Sequence, residues 1–334
     1  MNYRKAIEVK PMKLRMNEVV FSLVCVVVIP TLLMIFLRER TTEIYDAPQP
    51  DAVTRITDAL QPNQRMIPVL HDDGHVEVME LDAYLTGVVL AEMPAEFEFD
   101  ALMAQAVVAR TYTMKRHDSG KKHSNASVCT DHTCCQAYCT EAEFLAKGES
   151  AQQLNKVKDA VTATSGQVLT YNGALIEATY FSCSGGRTED AVAVWGEEIP
   201  YLQAVDSPGE ENATHYMDTV TFTVSEFREK LGLKSDDGTL RIGEITYTDG
   251  GGVETIRIGG EVWKGTQIRK LLGLRSTAFV ITSVGNTVTV TTKGYGHRVG
   301  MSQYGADAMA AGGKDYRKIL SYYYPGTVLE VMDA

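Results

Sequence analysis

The spacing of apolar residues changes several times along this chain, and each change marks a different kind of element. Val19 to Leu37 is a run of 19 residues without a charge, enough for a slightly short helix across a bilayer core of about 30 Å. Arg4, Lys5, Lys10, Lys13 and Arg15 precede it, and Arg38 and Arg40 follow. The positive-inside rule would then keep residues 1–18 in the cytoplasm and everything beyond the anchor outside. A cleaved secretory signal is the competing reading, but the run is long for one and no small-x-small site follows. Residues 38–64, with Pro48 and Pro50 and no sustained period, read as a stalk in which Thr54 to Leu60 could form a helical turn.

From residue 65 the pattern becomes that of a folded unit. Met66 to Leu70 and Val76 to Met79, joined through Asp72-Asp-Gly74, predict a hairpin. An apolar helical run then ends at Glu92, because Pro94 lacks an amide hydrogen and pushes Met93 out of helical geometry. A second helix is expected over Asp100 to Arg116, with Asp100 as its cap and Leu102, Met103, Ala106, Val107 and Arg110 on one stripe. Two more helical segments, Glu141 to Ala146 and Ala151 to Thr164, precede a hairpin signal at Asn172-Gly173 flanked by Gly166 to Tyr171 and Ala174 to Phe181. Beyond it β-branched alternation dominates: Val220 to Thr223, Glu244 to Thr248, Val253 to Ile258, Ala278 to Val284 and Thr287 to Thr292. Short helices fit Ser225 to Leu231, Lys264 to Leu271, Tyr304 to Ala311 and Tyr316 to Tyr323, and Val328 to Met332 closes as a strand. The expected fold class is α+β. A helical pair carries Glu92, a β-rich remainder follows, and residues 65–334 form one two-lobed catalytic domain outside the cell behind a transmembrane helix at 19–37.

Charge narrows the ligand class. The chain holds 43 acidic against 32 basic side chains, a formal charge of −11, which argues against nucleic acid and against electrostatic attachment to other anionic polymers. Glu92, at a helix end beside an apolar stripe, is the first candidate for chemistry. Desolvation disfavours its charged form and suits it to donate a proton near neutrality. A solvated helix-end glutamate is the alternative on spacing alone. Of six cysteines, four fall between residues 129 and 139. Zinc, disulfides and free thiols are all open to them, but Cys134 and Cys135 are adjacent and poorly placed to bridge each other, so a tetrahedral zinc site explains the cluster better.

Three segments resemble the stage II sporulation protein D family. Val88 to Phe97 with Ala104 to Tyr112 resembles its first signature, Gly294-Tyr-Gly-His-Arg-Val-Gly-Met-Ser-Gln-Tyr-Gly-Ala306 its second, and Ser182-Cys-Ser-Gly-Gly-Arg-Thr-Glu189 with Trp195 its third. The resemblance implies a lytic transglycosylase that cuts peptidoglycan glycan strands of the septal wall during forespore engulfment, with Glu92 as its acid and no catalytic cofactor. It would prefer strands already denuded by a partner amidase, stage II sporulation protein P, beside other engulfment membrane proteins. Implied substrate contacts are Arg110, Ser182, Ser184, Tyr201, His297, Gln303 and Tyr304, with Ser302 and Thr188 also available. Many members carry Cys-(x4)-His-Cys-Gln-x-Tyr after a histidine, which implies a structural zinc held by His123, Cys129, Cys134 and Cys135, with His132 or Cys139 as substitutes. The chain departs from the family at Phe181, Gln203 and Gly209, where a histidine, a lysine and a tryptophan are expected. Two rivals stand beside this reading. One is a non-catalytic amidase-enhancer or peptidoglycan-binding module. The other is a hydrolase with two carboxylates, its second drawn from Glu96, Glu98 or Asp100.

Overall fold

The computed structural model describes residues 65–120, 122–233 and 240–332. The fold is mixed α+β, with one correction to the expectation. Among the described residues no helix is long and apolar enough to cross a membrane, so a transmembrane helix is not part of the fold seen here; the run 19–37 and the stalk both lie outside the described residues.

The first hairpin, β1 (Met66–Leu70) and β2 (Val76–Glu80), pairs antiparallel in the register Met66↔Glu80 to Leu70↔Val76. It feeds directly into α1 (Leu81–Glu92), whose last residue is Glu92 because Met93 is already extended ahead of Pro94. Helix α2 (Phe99–Ser119) is the axis of the larger lobe, with buried residues on nearly every face. Its start differs from expectation. Glu98 holds the cap position without a side-chain bond, and Asp100 accepts instead from the Tyr316 backbone N–H at 2.9 Å. A two-residue strand, β3 (Val128–Cys129), runs parallel to β1.

Helices α3 (Glu141–Ala146) and α4 (Ala151–Ala163) begin at complete capping boxes, Thr140 with Glu143 and Ser150 with Gln153, in which two orphan backbone donors are satisfied reciprocally. Strands β4 (Gln167–Tyr171) and β5 (Ala174–Leu175) turn at Asn172 and Gly173, both at positive φ, as the hairpin signal requires. The return strand stops early. Tyr180–Phe181 is a separate strand, β6, that pairs in parallel with β13 (Met301–Ser302) from the far end of the chain.

A short helix, α5 (Ala191–Trp195), leads to the second lobe. There β7 (Met217–Thr223), β11 (Ala278–Val284) and β12 (Thr287–Lys293) form one sheet in the order β11-β12-β7, and β8 (Ile242–Tyr247), β9 (Val253–Ile258) and β10 (Glu261–Lys264) another in the order β10-β9-β8. Helices α6 (Val224–Leu231) and α7 (Gly265–Leu272) bury Phe227 and Ile268 in a core with Val253, Ile256, Val288 and Val290. Thr223, not Ser225, caps α6, through a capping box with Glu226. The chain then returns to the larger lobe as α8 (Gln303–Ala311), α9 (Tyr316–Tyr323) and β14 (Val328–Val331), the last pairing with β4. Segments from both ends of the unit therefore meet around α2.

Candidate functional site

Glu92 lines a cleft of about 510 Å³ with Gln136, Tyr180, Ser182, Tyr295, His297, Gln303 and others from both ends of the described unit. The β6–β13 pairing creates this meeting, because it carries Tyr180, Phe181 and Ser182 alongside the start of α8. Close approach there needs glycine. A Cβ on Gly300 would sit 2.1 Å from the Thr179 carbonyl oxygen, and one on Gly296 2.7 Å from the Phe181 Cβ, below any tolerable contact.

Burial raises the pKa of Glu92, offset in part by the Ala137 backbone N–H, by Tyr180 and Gln303, and by the nearby His132. The Ala137 N–H donates to its Oε1 at 2.8 Å. Tyr180 donates to the Gln136 amide oxygen at 3.1 Å, and Gln136 donates in turn to Thr113 on α2 at 3.0 Å. The Gln303 side-chain nitrogen is buried and has no hydrogen-bond partner; its effect on Glu92 is that of a nearby dipole, not a completed bond. This donor faces the cleft. His297 also lines the cleft, where desolvation, aided by the Arg269 charge, pushes its pKa down to about 4. Its Nδ1 accepts from the Val299 N–H at 3.1 Å, so near neutral pH it is an uncharged ring held by backbone.

Glu92 is the sole carboxylate lining this cleft. None of the three acids nearest in sequence lines it: Asp100 holds the start of α9, Glu98 is exposed, and Glu96, which accepts from Gln153, borders a separate depression of about 330 Å³ with Glu92 and Glu149.

The cysteine loop forms the adjoining wall. Nitrogen and sulfur donors of His123, Cys129, Cys134 and Cys135 all lie within 4.8 Å of one another, with His123 Nε2 at 3.4 Å from Cys135 Sγ and 3.8 Å from Cys134 Sγ. Three sulfurs and one imidazole at these separations suit a tetrahedral zinc, whose bonds of about 2.0–2.3 Å put ligand atoms roughly 3.5 Å apart. His132 is outside this group, exposed and lining the cleft, and Cys139 faces Lys147 and the Thr140 carbonyl. All five described cysteines are free thiols. The loop is locked to α1 by Tyr138, which stacks on Tyr84 and fills the space over Gly87, where a Cβ would meet its ring at 2.2 Å. Cys135, Gln136 and Ala137 are consecutive, so one member of the cysteine cluster and the donor to Glu92 share a segment.

The remaining residues implied by the motifs fall into two groups. Ser182, His297 and Gln303 line the cleft with Glu92. Arg110, Ser184, Tyr201 and Tyr304 do not. Arg110 is wholly buried and donates to the Thr164 and Val161 carbonyls and to Asp82 at 2.7–3.1 Å. Ser184 is buried against Glu210, which also accepts from the Ser184 and Gly185 backbone N–H groups. Tyr201 accepts from the Glu177 N–H, and Tyr304 packs edge-on against Phe97. Thr188 is buried and bonds the Val205 backbone, and Ser302 caps α8. At the variant positions, Gln203 folds back on the Pro200 carbonyl and Gly209 occupies a left-handed turn that delivers Glu210. Tyr180 and Gln136 were not anticipated as site residues. Only the Cys-Gln-x-Tyr spacing hinted at Gln136, and Tyr180 has no local signal.

A family model described as stage II sporulation protein matches residues 71–171. Stage II sporulation protein D of Bacillus subtilis (strain 168) is 44% identical over 264 residues, covering 78% of this chain and 77% of that protein. Its Bacillus amyloliquefaciens counterpart is 38% identical over 336 residues, 96% and 97% of the two chains. An amidase enhancer of Bacillus subtilis (strain 168) is 28% identical over 299 residues, 73% of this chain and 40% of its own length.

Proposed function

The chain belongs to the stage II sporulation protein D family, and from that premise we propose that it is a lytic transglycosylase that cleaves the MurNAc–GlcNAc bond of denuded peptidoglycan strands during forespore engulfment. The observation that carries this reading is the lone, desolvated Glu92 in its cleft. Hydrolysis by the common route needs a second carboxylate, to activate water or to attack the sugar. An intramolecular transglycosylation needs one group that acts first as acid and then as base.

Glu92, whose protonated form burial favours, gives its proton to the glycosidic oxygen as the C1–O bond breaks. The muramic C6 hydroxyl then forms a bond to C1 and returns its proton to the Glu92 carboxylate, which closes the anhydro ring and restores the acid. The Ala137 N–H and Tyr180 stabilise the carboxylate in the interval. The unpaired Gln303 amide is available to a carbonyl or hydroxyl of the sugar. Zinc on His123, Cys129, Cys134 and Cys135 would supply rigidity to the loop that aims Ala137 at Glu92, and no chemistry at the bond. An amidase that removes stem peptides, of the stage II sporulation protein P kind, would precede this enzyme, and the site would face the wall.

The kinship with an amidase enhancer supports a second reading, a module that stimulates an amidase without cleaving glycan. Wild type and Glu92→Gln incubated with denuded strands separate the readings when product ends are determined by mass spectrometry. Anhydromuramic ends from wild type alone are expected. Reducing ends would mean hydrolysis, and intact strands with both proteins would favour the enhancer role.

A further inference from the structure

The tip of the first hairpin carries a second set of donors suited to a metal ion. Register decides which side chains share a face there. Leu70 pairs with Val76, and beyond that pair the His71 N–H donates to the His75 carbonyl at 2.9 Å, so the two histidines stand opposite each other. Glu77 follows His75 by two residues, and strand alternation returns it to the same face. The side chains meet accordingly. The His71 and His75 rings stack 3° from parallel with centroids 4.3 Å apart, and ligand atoms of His71, His75 and Glu77 all lie within 4.8 Å of one another. None of the three lines the Glu92 cleft. His71 Nε2 is buried and has no hydrogen-bond partner, yet Glu77 Oε2 lies 3.2 Å from it. A ring nitrogen and a carboxylate oxygen so close, with no hydrogen bond between them, are spaced as neighbouring ligands of one cation: zinc bonds of about 2.0–2.1 Å set tetrahedral donors roughly 3.3 Å apart.

We infer that His71, His75 and Glu77 form a second metal site, for a divalent transition ion of the zinc class, distinct from the cysteine cluster and sharing no ligand with it. Two imidazoles and one carboxylate suit zinc or its neighbours, whereas magnesium and calcium take oxygen ligands. Three protein ligands leave a fourth position to water. Asp73 completes the arrangement from outside. Its Oδ1 lies 2.5 Å from His75 Nδ1, which leaves Nε2 for the ion, and a carboxylate on one ring nitrogen orients the ring and strengthens the other nitrogen as a ligand. The tip is also held from behind: Asp72 accepts from the Thr130 hydroxyl at 2.9 Å, and His71 packs edge-on against Tyr138. Leu70 pairs with Cys129, so an ion here would clamp the hairpin beside the strand that carries one of the clustered cysteines. The inference does not depend on the glycan-cleaving reading.

The probe is Co²⁺, added to full-length, untagged protein, with bound equivalents counted by equilibrium dialysis and the site of each read from the absorption spectrum. Cobalt on thiolates gives sulfur-to-metal charge-transfer bands; cobalt on nitrogen and oxygen gives only weak d–d bands. Wild type should show both signatures. His75→Ala and Glu77→Gln should each lose one equivalent and keep the thiolate bands, whereas Cys135→Ser should lose the thiolate bands and keep the hairpin equivalent. Asp73→Asn should weaken that equivalent by about 10–100-fold and leave the thiolate bands unchanged. His75, Glu77 and Asp73 are exposed, so the variants should match wild type in far-ultraviolet circular dichroism. Equal numbers of bound equivalents in wild type, His75→Ala and Glu77→Gln, or displacement of the hairpin equivalent by excess Mg²⁺, would overturn the site. A single equivalent without thiolate bands that His75→Ala removes would uphold the hairpin site and count against zinc at the cysteines.

Discussion

At Glu92, the gain in proton affinity and the cost in stability have the same source. Burial raises its pKa above that of the unfolded chain, so its contribution to stability is full below the unfolded value and is lost as pH rises through the folded value. Glu92→Gln should therefore unfold at higher urea than wild type at pH 8, with the advantage shrinking toward pH 4. Activity should move the other way: replacement of the acid is expected to lower kcat by about 10²–10⁴, the usual worth of a positioned proton donor. A mutant that loses activity and stability together would point to a structural carboxylate. Gln303→Leu removes a group that favours the charged form, so the alkaline limb of the rate profile should shift upward, read from kcat against pH. Glu92 could be found in the sequence because Pro94 fixes where its helix stops. Tyr180 could not, because it reaches the cleft through the pairing of β6 with a strand more than a hundred residues away, and Gln136 could not, because its role comes from its contacts with Tyr180 and Thr113 on other elements.

For the elements, hydrophobic period sufficed where burial is one-sided and failed where it is not. Strands β9, β11 and β12 alternate and were legible nearly to the residue; α2 is buried all round, so no stripe indicates which of its polar residues face a ligand. Arg110 shows the consequence. The motif suggested a substrate contact, but the guanidinium ties α2 to α1 and α4 with no exposed surface. Arg110→Met should cost about 3–5 kcal/mol in chemical denaturation, because it strands Asp82 and two carbonyls, and any enzyme that remains folded should retain its KM. The cysteine loop has a different dependence. On the proposed zinc site, Cys135→Ser should lower the zinc content measured by a chromogenic chelator, lower the melting temperature and reduce kcat through the neighbouring Ala137 N–H, with the thiol count as the control for oxidation.

The two hydrophobic cores of the described unit are joined by a buried charge pair that no sequence pattern announced. Arg298 takes a left-handed backbone conformation at φ 67 and donates to the carbonyls of Ser184, Arg187 and Gly250, while its Nη1 lies 3.3 Å from Glu189 Oε1. Glu189 in turn accepts from the Gly252 N–H and the Thr248 hydroxyl in the turn between β8 and β9. One end of this network is the Ser-Cys-Ser-Gly-Gly motif of the larger lobe and the other is a turn of the smaller one. A buried cation left without its carboxylate costs about 3–5 kcal/mol, and the loss would fall on the contact between lobes before either core. Glu189→Ala should thus split a single unfolding transition into two. In a Trp195→Phe background, Trp263 reports on the smaller lobe, against whose core it packs, and its emission should change at lower denaturant than the far-ultraviolet signal of the helical lobe, whereas the two coincide in the unsubstituted pair. Coincident transitions in the mutant would show that the lobes are held by their apolar contacts and that the ion pair serves only to set the Ser184 to Arg187 turn.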